Sequence, residues 1–144
     1  MIAYVDTSAL VKLFLAEDGS QIVSRVWEAA DGVVTSAATY PEARAALAAA
    51  AREGRISRRV LPRAVAELDR RFSSMDVVEL RRPLASAAGS LAELFALRGY
   101  DAVHLASALL VDEGRTVMLT WDRELARAAS AAGLDVVAPR SDTG

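Results

Sequence analysis

Cysteine is absent from this chain, and histidine and lysine occur once each, as His104 and Lys12. Without thiols there is no disulfide framework and no thiolate metal centre. A single histidine cannot build a nitrogen-ligand site, so any bound metal must be held by oxygen. Long apolar runs are missing too. The longest alanine-rich stretch, Ala45 to Ala51, falls far short of the ~20 residues that span a bilayer. The opening residues Met1 to Val5 carry no basic region ahead of their apolar stretch, so a secretory signal is not expected and a soluble cytoplasmic protein is. A large excess of either charge is also lacking: the formal net charge is −2, which argues against a nucleic-acid binder of uniformly basic surface.

What is present is a core. Of the 144 residues, 53% are hydrophobic, far too many for a disordered chain and enough for one domain. No repeat or long linker interrupts it; one domain over residues 1–139 is expected, followed by a short tail, 140–144. Positive charge is unevenly spread. From Arg52 to Arg82 nine arginines face five acids, a pattern that fits either a solvated helical surface or a positive rim suited to a polyanion.

Short valine-rich runs alternate with helical patterns. Strands are predicted at Ile2–Val5, Gly32–Thr35, Asp76–Leu80, Val117–Thr120 and Asp135–Val137, separated by helical segments, which favours parallel βαβ units and an α/β fold. Helices are predicted over Thr7–Leu15, from a Ser20 cap to about Ala30, around Pro41 up to Gly54, after a Ser57 cap, from Pro83 to Gly99, from Asp101 to near Gly114, and over Arg123–Ala132. Paired helices between the second and third strands, and between the third and fourth, are expected to protrude from the sheet.

Four acids follow, or lie close behind, short apolar segments: Asp6, Glu42, Asp101 and Asp122. A strand ending in a carboxylate delivers it to the carboxyl edge of the sheet, where open α/β sheets bind ligands. Each acid also has a plainer reading. Asp6 and Asp122 are suitable helix N-caps, although Thr7 or Ser8 can cap in place of Asp6. Glu42 completes a Thr39-x-x-Glu42 capping box with Pro41 in the first turn. Asp101 complements a helix N-terminus. His104, one turn beyond Asp101, reads as a packed or hydrogen-bonded residue, and Trp121 as a packing residue or an aromatic beside the pocket that stacks on a base. Together the four acids would repel one another, and a hard divalent cation offsets that directly.

The segments Tyr4-Val5-Asp6-Thr7-Ser8-Ala9-Leu10, Glu42 behind Ser36 and Thr39, Tyr100-Asp101-Ala102-Val103-His104-Leu105-Ala106, and Thr120-Trp121-Asp122-Arg123-Glu124-Leu125 resemble the PIN-domain nucleases, specifically the toxin subunit of VapBC toxin–antitoxin pairs. The resemblance spans essentially the whole chain. It implies a PIN domain, a central parallel sheet, here five-stranded, flanked by helices. It implies an endoribonuclease dependent on Mg²⁺ or Mn²⁺, with tRNA or ribosomal RNA as target, a homodimer, and a cognate VapB-like antitoxin that covers the active site. Asp6, Glu42, Asp101 and Asp122 match the family's acidic quartet, and Thr7 and Thr120 match hydroxyl positions beside it. Lys12 is placed either to meet phosphate or as a solvated surface residue.

On this reading Asp6 and Asp101 ligate metal directly, and Glu42 and Asp122 act through water or complete a second site. The acids are expected to titrate as a coupled set, at least one keeping its proton above the ordinary carboxylate range. A receiver domain, which also gathers aspartates at a sheet edge, needs an acceptor after its third strand and a lysine after its last, and neither is present. A nuclease of DNA flaps would carry additional arches and helices. A catalytically idle PIN-like module that binds RNA or protein is the remaining alternative.

Overall fold

The computed structural model describes residues 1–140, so residues 141–144 of the expected tail lie outside the described residues. In chain order the elements are β1 (Ile2–Val5), α1 (Thr7–Leu10), a 3₁₀ turn (Val11–Leu13), α2 (Ser20–Ala29), β2 (Gly32–Ser36), α3 (Thr39–Arg52), α4 (Leu61–Ser73), β3 (Asp76–Val78), α5 (Arg82–Phe95), α6 (Gly99–Val111), β4 (Thr116–Leu119), α7 (Arg123–Ala131) and β5 (Asp135–Val137). The five strands form one sheet in the order β3-β2-β1-β4-β5, parallel throughout. Every expected strand forms, with ends moved by at most two residues.

β1 sits at the centre. Ile2 lies opposite Gly32 on one side and Thr116 on the other. The chain builds outward through β2 and β3, then returns to add β4 and β5 on the opposite flank. The strand order therefore reverses between β1 and β4, and such a switch point opens a crevice at the carboxyl ends of the strands.

Period-two alternation divides the core into two layers. Ala3 and Val5 of β1 pack with Leu10, Val23, Leu47 and Leu68, the apolar faces of α1 to α4. Tyr4 and Met118 point the other way, against Leu84, Leu105 and Leu125 of α5 to α7. Each buried leucine contributes about 2 kcal/mol of hydrophobic stabilisation.

The paired helices do not simply protrude. In α6 every residue from Ala102 to Ala108 is buried, and the helix packs on β2 and β4. Alanines at 102, 106 and 108 leave no bulk to hold the helix off the sheet. Likewise α3 and α4 bury Leu47 and Leu68 in the opposite layer. Among the described residues no single helix is long and apolar enough to cross a membrane.

Several helix limits differ from expectation, and Ser57 does not cap α4, whose N-cap position is Val60 without a side-chain bond. The segment Thr7–Leu15 breaks into α1 and the 3₁₀ turn. Ser20 does not cap α2. Gly19 takes that place, in the left-handed region with φ 92°, while the Ser20 hydroxyl accepts from the Glu17 amide and donates to the Leu15 carbonyl. A β-carbon at Gly19 would lie 2.3 Å from the Trp121 ring. Gly19 therefore serves both the turn and the close approach. Gly19→Ala is expected to cost about 2 kcal/mol or more in urea unfolding, because backbone strain and the clash add.

Candidate metal-binding active site

The sheet edge at the switch point is built around Asp6. Its side chain is 3% exposed. Backbone φ −81° and ψ 176° make it the N-cap of α1, with Oδ1 accepting from the Ala9 amide at 2.9 Å. Ser8 Oγ donates to the same carboxylate, 2.7 Å from Oδ1, and Thr120 Oγ1 donates to Oδ2 at 2.6 Å. The capping reading of Asp6 is thus correct, and neither Thr7 nor Ser8 replaces it. Ser8 also accepts the Trp121 amide at 2.8 Å, tying the end of β1 to the end of β4.

Asp122 repeats the device one strand over. It caps α7 through Oδ1, which accepts the Leu125 amide at 2.9 Å, and its own amide donates to Thr120 Oγ1 at 3.1 Å. Thr120 therefore couples the two aspartates across the switch point.

Glu42 and Asp101 arrive differently. Neither ends a strand: both lie in first helical turns, of α3 and α6. The capping box foreseen for Glu42 does not form, and the N-cap position of α3, Ala38, has no side-chain bond. Thr39 is buried, and its hydroxyl accepts from Thr35 Oγ1 at 2.8 Å. Glu42 is thereby left to turn toward the edge, where Oε1 accepts from Thr7 Oγ1 at 2.9 Å and meets His104 Nε2 at 3.0 Å.

His104 is 2% exposed, and its Nδ1 lies 2.9 Å from the buried Tyr4 hydroxyl. Burial holds the Tyr4 phenol well above its ordinary pKa, so it stays protonated. An ionised Glu42 can only accept, so Nε2 carries the proton. When the ring is neutral, Nδ1 accepts from Tyr4; when it is charged, Nδ1 donates to the same oxygen. A chain Tyr4–His104–Glu42–Thr7 thus runs from inside the sheet to its edge.

Asp101 Oδ2 accepts from Arg98 Nε at 2.9 Å, and the same guanidinium reaches Asp122 Oδ2 through Nη2 at 3.0 Å. Arg98 is one residue of this edge that the sequence reading missed. Its spacing of three residues before Asp101 was the available signal for that contact; its reach to Asp122 had none. Ser8 and Tyr4 were missed likewise.

Lys12 fits neither of its expected roles. It is 8% exposed, ion-paired to Glu17 at 3.1 Å and 5.2 Å above the Trp121 ring. With Gly19 against it as well, Trp121 is a wall residue, in keeping with its reading as packing.

Four carboxylates and two threonine hydroxyls thus occupy one edge, linked in sequence. They do not yet close on one point: among the described residues no three acidic or histidine side chains are arranged to hold an ion. Asp6 faces Ser8 and Thr120, Glu42 faces His104, and Asp101 and Asp122 face Arg98. The donors that could take up a metal are nonetheless all hard oxygens, and two of them already converge on a single cation.

Burial pushes the Asp6 carboxyl above the ordinary range. The His104 charge and the bonds from Thr120, Ser8 and Ala9 offset only part of this. Burial also raises Glu42, but bonding to His104, its charge, Thr7 and the Arg98 charge outweigh it, leaving the group below its ordinary value. The raised acid expected from mutual repulsion is therefore Asp6, and desolvation is the cause. A raised carboxyl favours the folded chain below the ordinary range, and that contribution is lost as pH rises through the folded value. Glu42 acts oppositely: its contribution is present above the ordinary range and lost as pH falls through the depressed value. In EDTA, urea unfolding of Asp6→Asn across the acid range should lack the decline with rising pH that Asp6 imposes. A profile matching the parent's would contradict the assignment.

A PIN domain model matches residues 3–131. The chain is 43% identical over 141 residues to "Ribonuclease VapC45" of Mycobacterium tuberculosis (strain CDC 1551 / Oshkosh), covering 98% of each. Among solved structures, PAE2754 from Pyrobaculum aerophilum superposes with a TM-score of 0.68 at 26% identity, covering 95% of this chain and 90% of that one. A toxin–antitoxin complex from Klebsiella pneumoniae gives 0.64 at 20% identity, covering 96% and 98%. Fold, edge and relatives agree: this chain belongs to the PIN-domain family.

Proposed function

We propose that this protein is the toxin of a type II toxin–antitoxin pair, a divalent-metal-dependent endoribonuclease that hydrolyses phosphodiester bonds in RNA. The observation that carries the reading is the sheet edge, where Asp6, Glu42, Asp101 and Asp122 are linked through Thr7, Thr120 and Arg98. The similarity to a protein named a ribonuclease, over nearly all of both chains, supports it.

The residues fit Mg²⁺ or Mn²⁺. Both ions prefer oxygen ligands, and Asp101 and Asp122 already share a cation at this edge. Asp6 and Asp101 are the direct ligands in this reading, with Glu42 and Asp122 acting through water or a second ion. When bound, such an ion lowers the pKa of water and offsets phosphate charge. The chain's own groups set the geometry. His104 Nε2–H and Thr7 fix Glu42, Thr120 aligns Asp6 with Asp122, and Ser8 locks the two strand ends. Water attacks phosphorus and the bond to the 3′ oxygen breaks, leaving a 5′-phosphate and a 3′-hydroxyl. The ribose 2′-hydroxyl takes no part.

The target is tRNA or ribosomal RNA, whose unpaired loops expose the backbone to such an edge. A cognate VapB-like antitoxin is the partner, in line with the toxin–antitoxin complex that shares the fold, and the setting is the cytoplasm. Self-association into a homodimer is supported by the apolar surface of α5 and α6, where Leu94 is 72% and Leu110 67% exposed.

Cleavage of a mixed RNA pool with Mg²⁺ or Mn²⁺, and with EDTA as control, tests the reading. Asp6→Asn should lower the rate by about a hundredfold or more while the circular dichroism spectrum is retained. Intact RNA with the parent protein, bound but uncut, would favour the idle RNA-binding module instead. His104→Leu, which leaves Glu42 with Thr7 as its one remaining donor, should cost about 10- to 100-fold in metal affinity, measured by Mn²⁺ titration.

A further inference from the structure

We infer that Arg98 is a built-in counter-ion that competes with the divalent cation, so that this side chain sets the affinity of the edge for metal. The inference rests on the metal-dependent reading and adds to it an occupant drawn from the chain itself. One guanidinium spans two carboxylates from different helices, with Nε on Asp101 and Nη2 on Asp122. Its planar fork suits such bridging, and no second cation makes an ion pair with either acid among the described residues.

Asp122 makes the competition direct. Its Oδ1 is committed to the Leu125 amide as the helix cap, and its Oδ2 is held by Arg98. A small hard ion needs an oxygen at about 2.1 Å. On the oxygen that is not capping α7, and on Asp101 Oδ2, the guanidinium opposes a second positive charge and occupies the approach. Departure is easy, because the Arg98 side chain is 80% exposed while Asp101 and Asp122 are 16% and 24% exposed. The arginine covers the acids from the solvent side and can swing into water.

The local backbone favours this placement. Ala96, which ends α5, has φ 54°, in the left-handed region that non-glycine residues avoid. Leu97 is then buried, and Arg98 becomes the N-cap position of α6 without making a side-chain cap. A guanidinium at a helix N-terminus is unfavourable for the dipole, so the acids and not the helix account for its position.

The test is calorimetric titration of Mn²⁺ into the full chain, with a thermal melt beside it. R98Q should bind Mn²⁺ about fivefold more tightly than the parent, the factor an exposed bridging pair of this kind is worth. R98K, a point charge that cannot fork across both acids, should fall between. R70Q removes the same charge from α4, where Arg70 pairs with Glu67, and should leave affinity unchanged. In EDTA R98Q should melt below the parent, and in saturating Mn²⁺ the gap should close, because the ion-bound state no longer uses the arginine. Equal or weaker affinity in R98Q, an equal gain in R70Q, or a melting gap that persists with Mn²⁺ overturns the inference. A parent protein that takes up no Mn²⁺ overturns the metal reading beneath it, and the inference with it.

Discussion

The carboxylate that ends the central strand has almost no access to water, and the sheet edge is arranged around making that tolerable. Asp6 accepts from a backbone amide, a serine and a threonine at once. These donors come from α1 and from the end of β4, so satisfying the charge also fixes how the two strands meet. The remaining acids hang from this arrangement: Asp122 through the shared threonine, Glu42 through the residue after Asp6. Hydrogen bonding offsets burial only in part, and Asp6 stays harder to ionise than a free carboxyl. A cation would complete the compensation, which links the stability of the edge to its chemistry.

Helix starts and site chemistry share the same atoms. Asp6 and Asp122 each give one carboxylate oxygen to a helix N-terminus, and a cap of this kind stabilises by about 1 kcal/mol. Capping and ligation are therefore not rival readings of an aspartate after a strand. The cap fixes the side chain's rotamer and leaves the other oxygen to bond away from the helix. For Asp122 that second oxygen faces Arg98; for Asp6 it faces Thr120.

The sheet was legible because each strand is a short apolar run with polar or glycine neighbours, and a parallel sheet flanked by helices asks for little else. Asp6 and Asp122 were legible for the same reason, since strand ends mark the edge directly. Glu42 and Asp101 were expected at helix starts, and both lie in first helical turns; the capping box of Glu42 is what was misjudged. The threonine and glutamate of the Thr39-x-x-Glu42 motif are drawn away from capping, one by Thr35 and the other by His104. That competition depends on contacts across 62 residues of chain for the His104 bond, and local pattern carries no trace of it. The Tyr4–His104 bond, spanning 100 residues, and the Arg98–Asp122 pair are invisible for the same reason. Lys12 was misplaced because a lysine in a helical stretch normally points to solvent, whereas here Trp121 and Glu17 together give it an internal berth.

That berth has a practical side. The chain's sole lysine ammonium is enclosed between an indole face and a carboxylate, so no lysine side chain is displayed on the exterior. Amine-directed reagents, including common cross-linkers and acetylating agents, would reach only the Met1 α-amine, paired with Asp31, without first loosening the wall beside Asp122. Guanidinium-directed chemistry meets the opposite situation, since apart from Lys12 and His104 every basic side chain is an arginine.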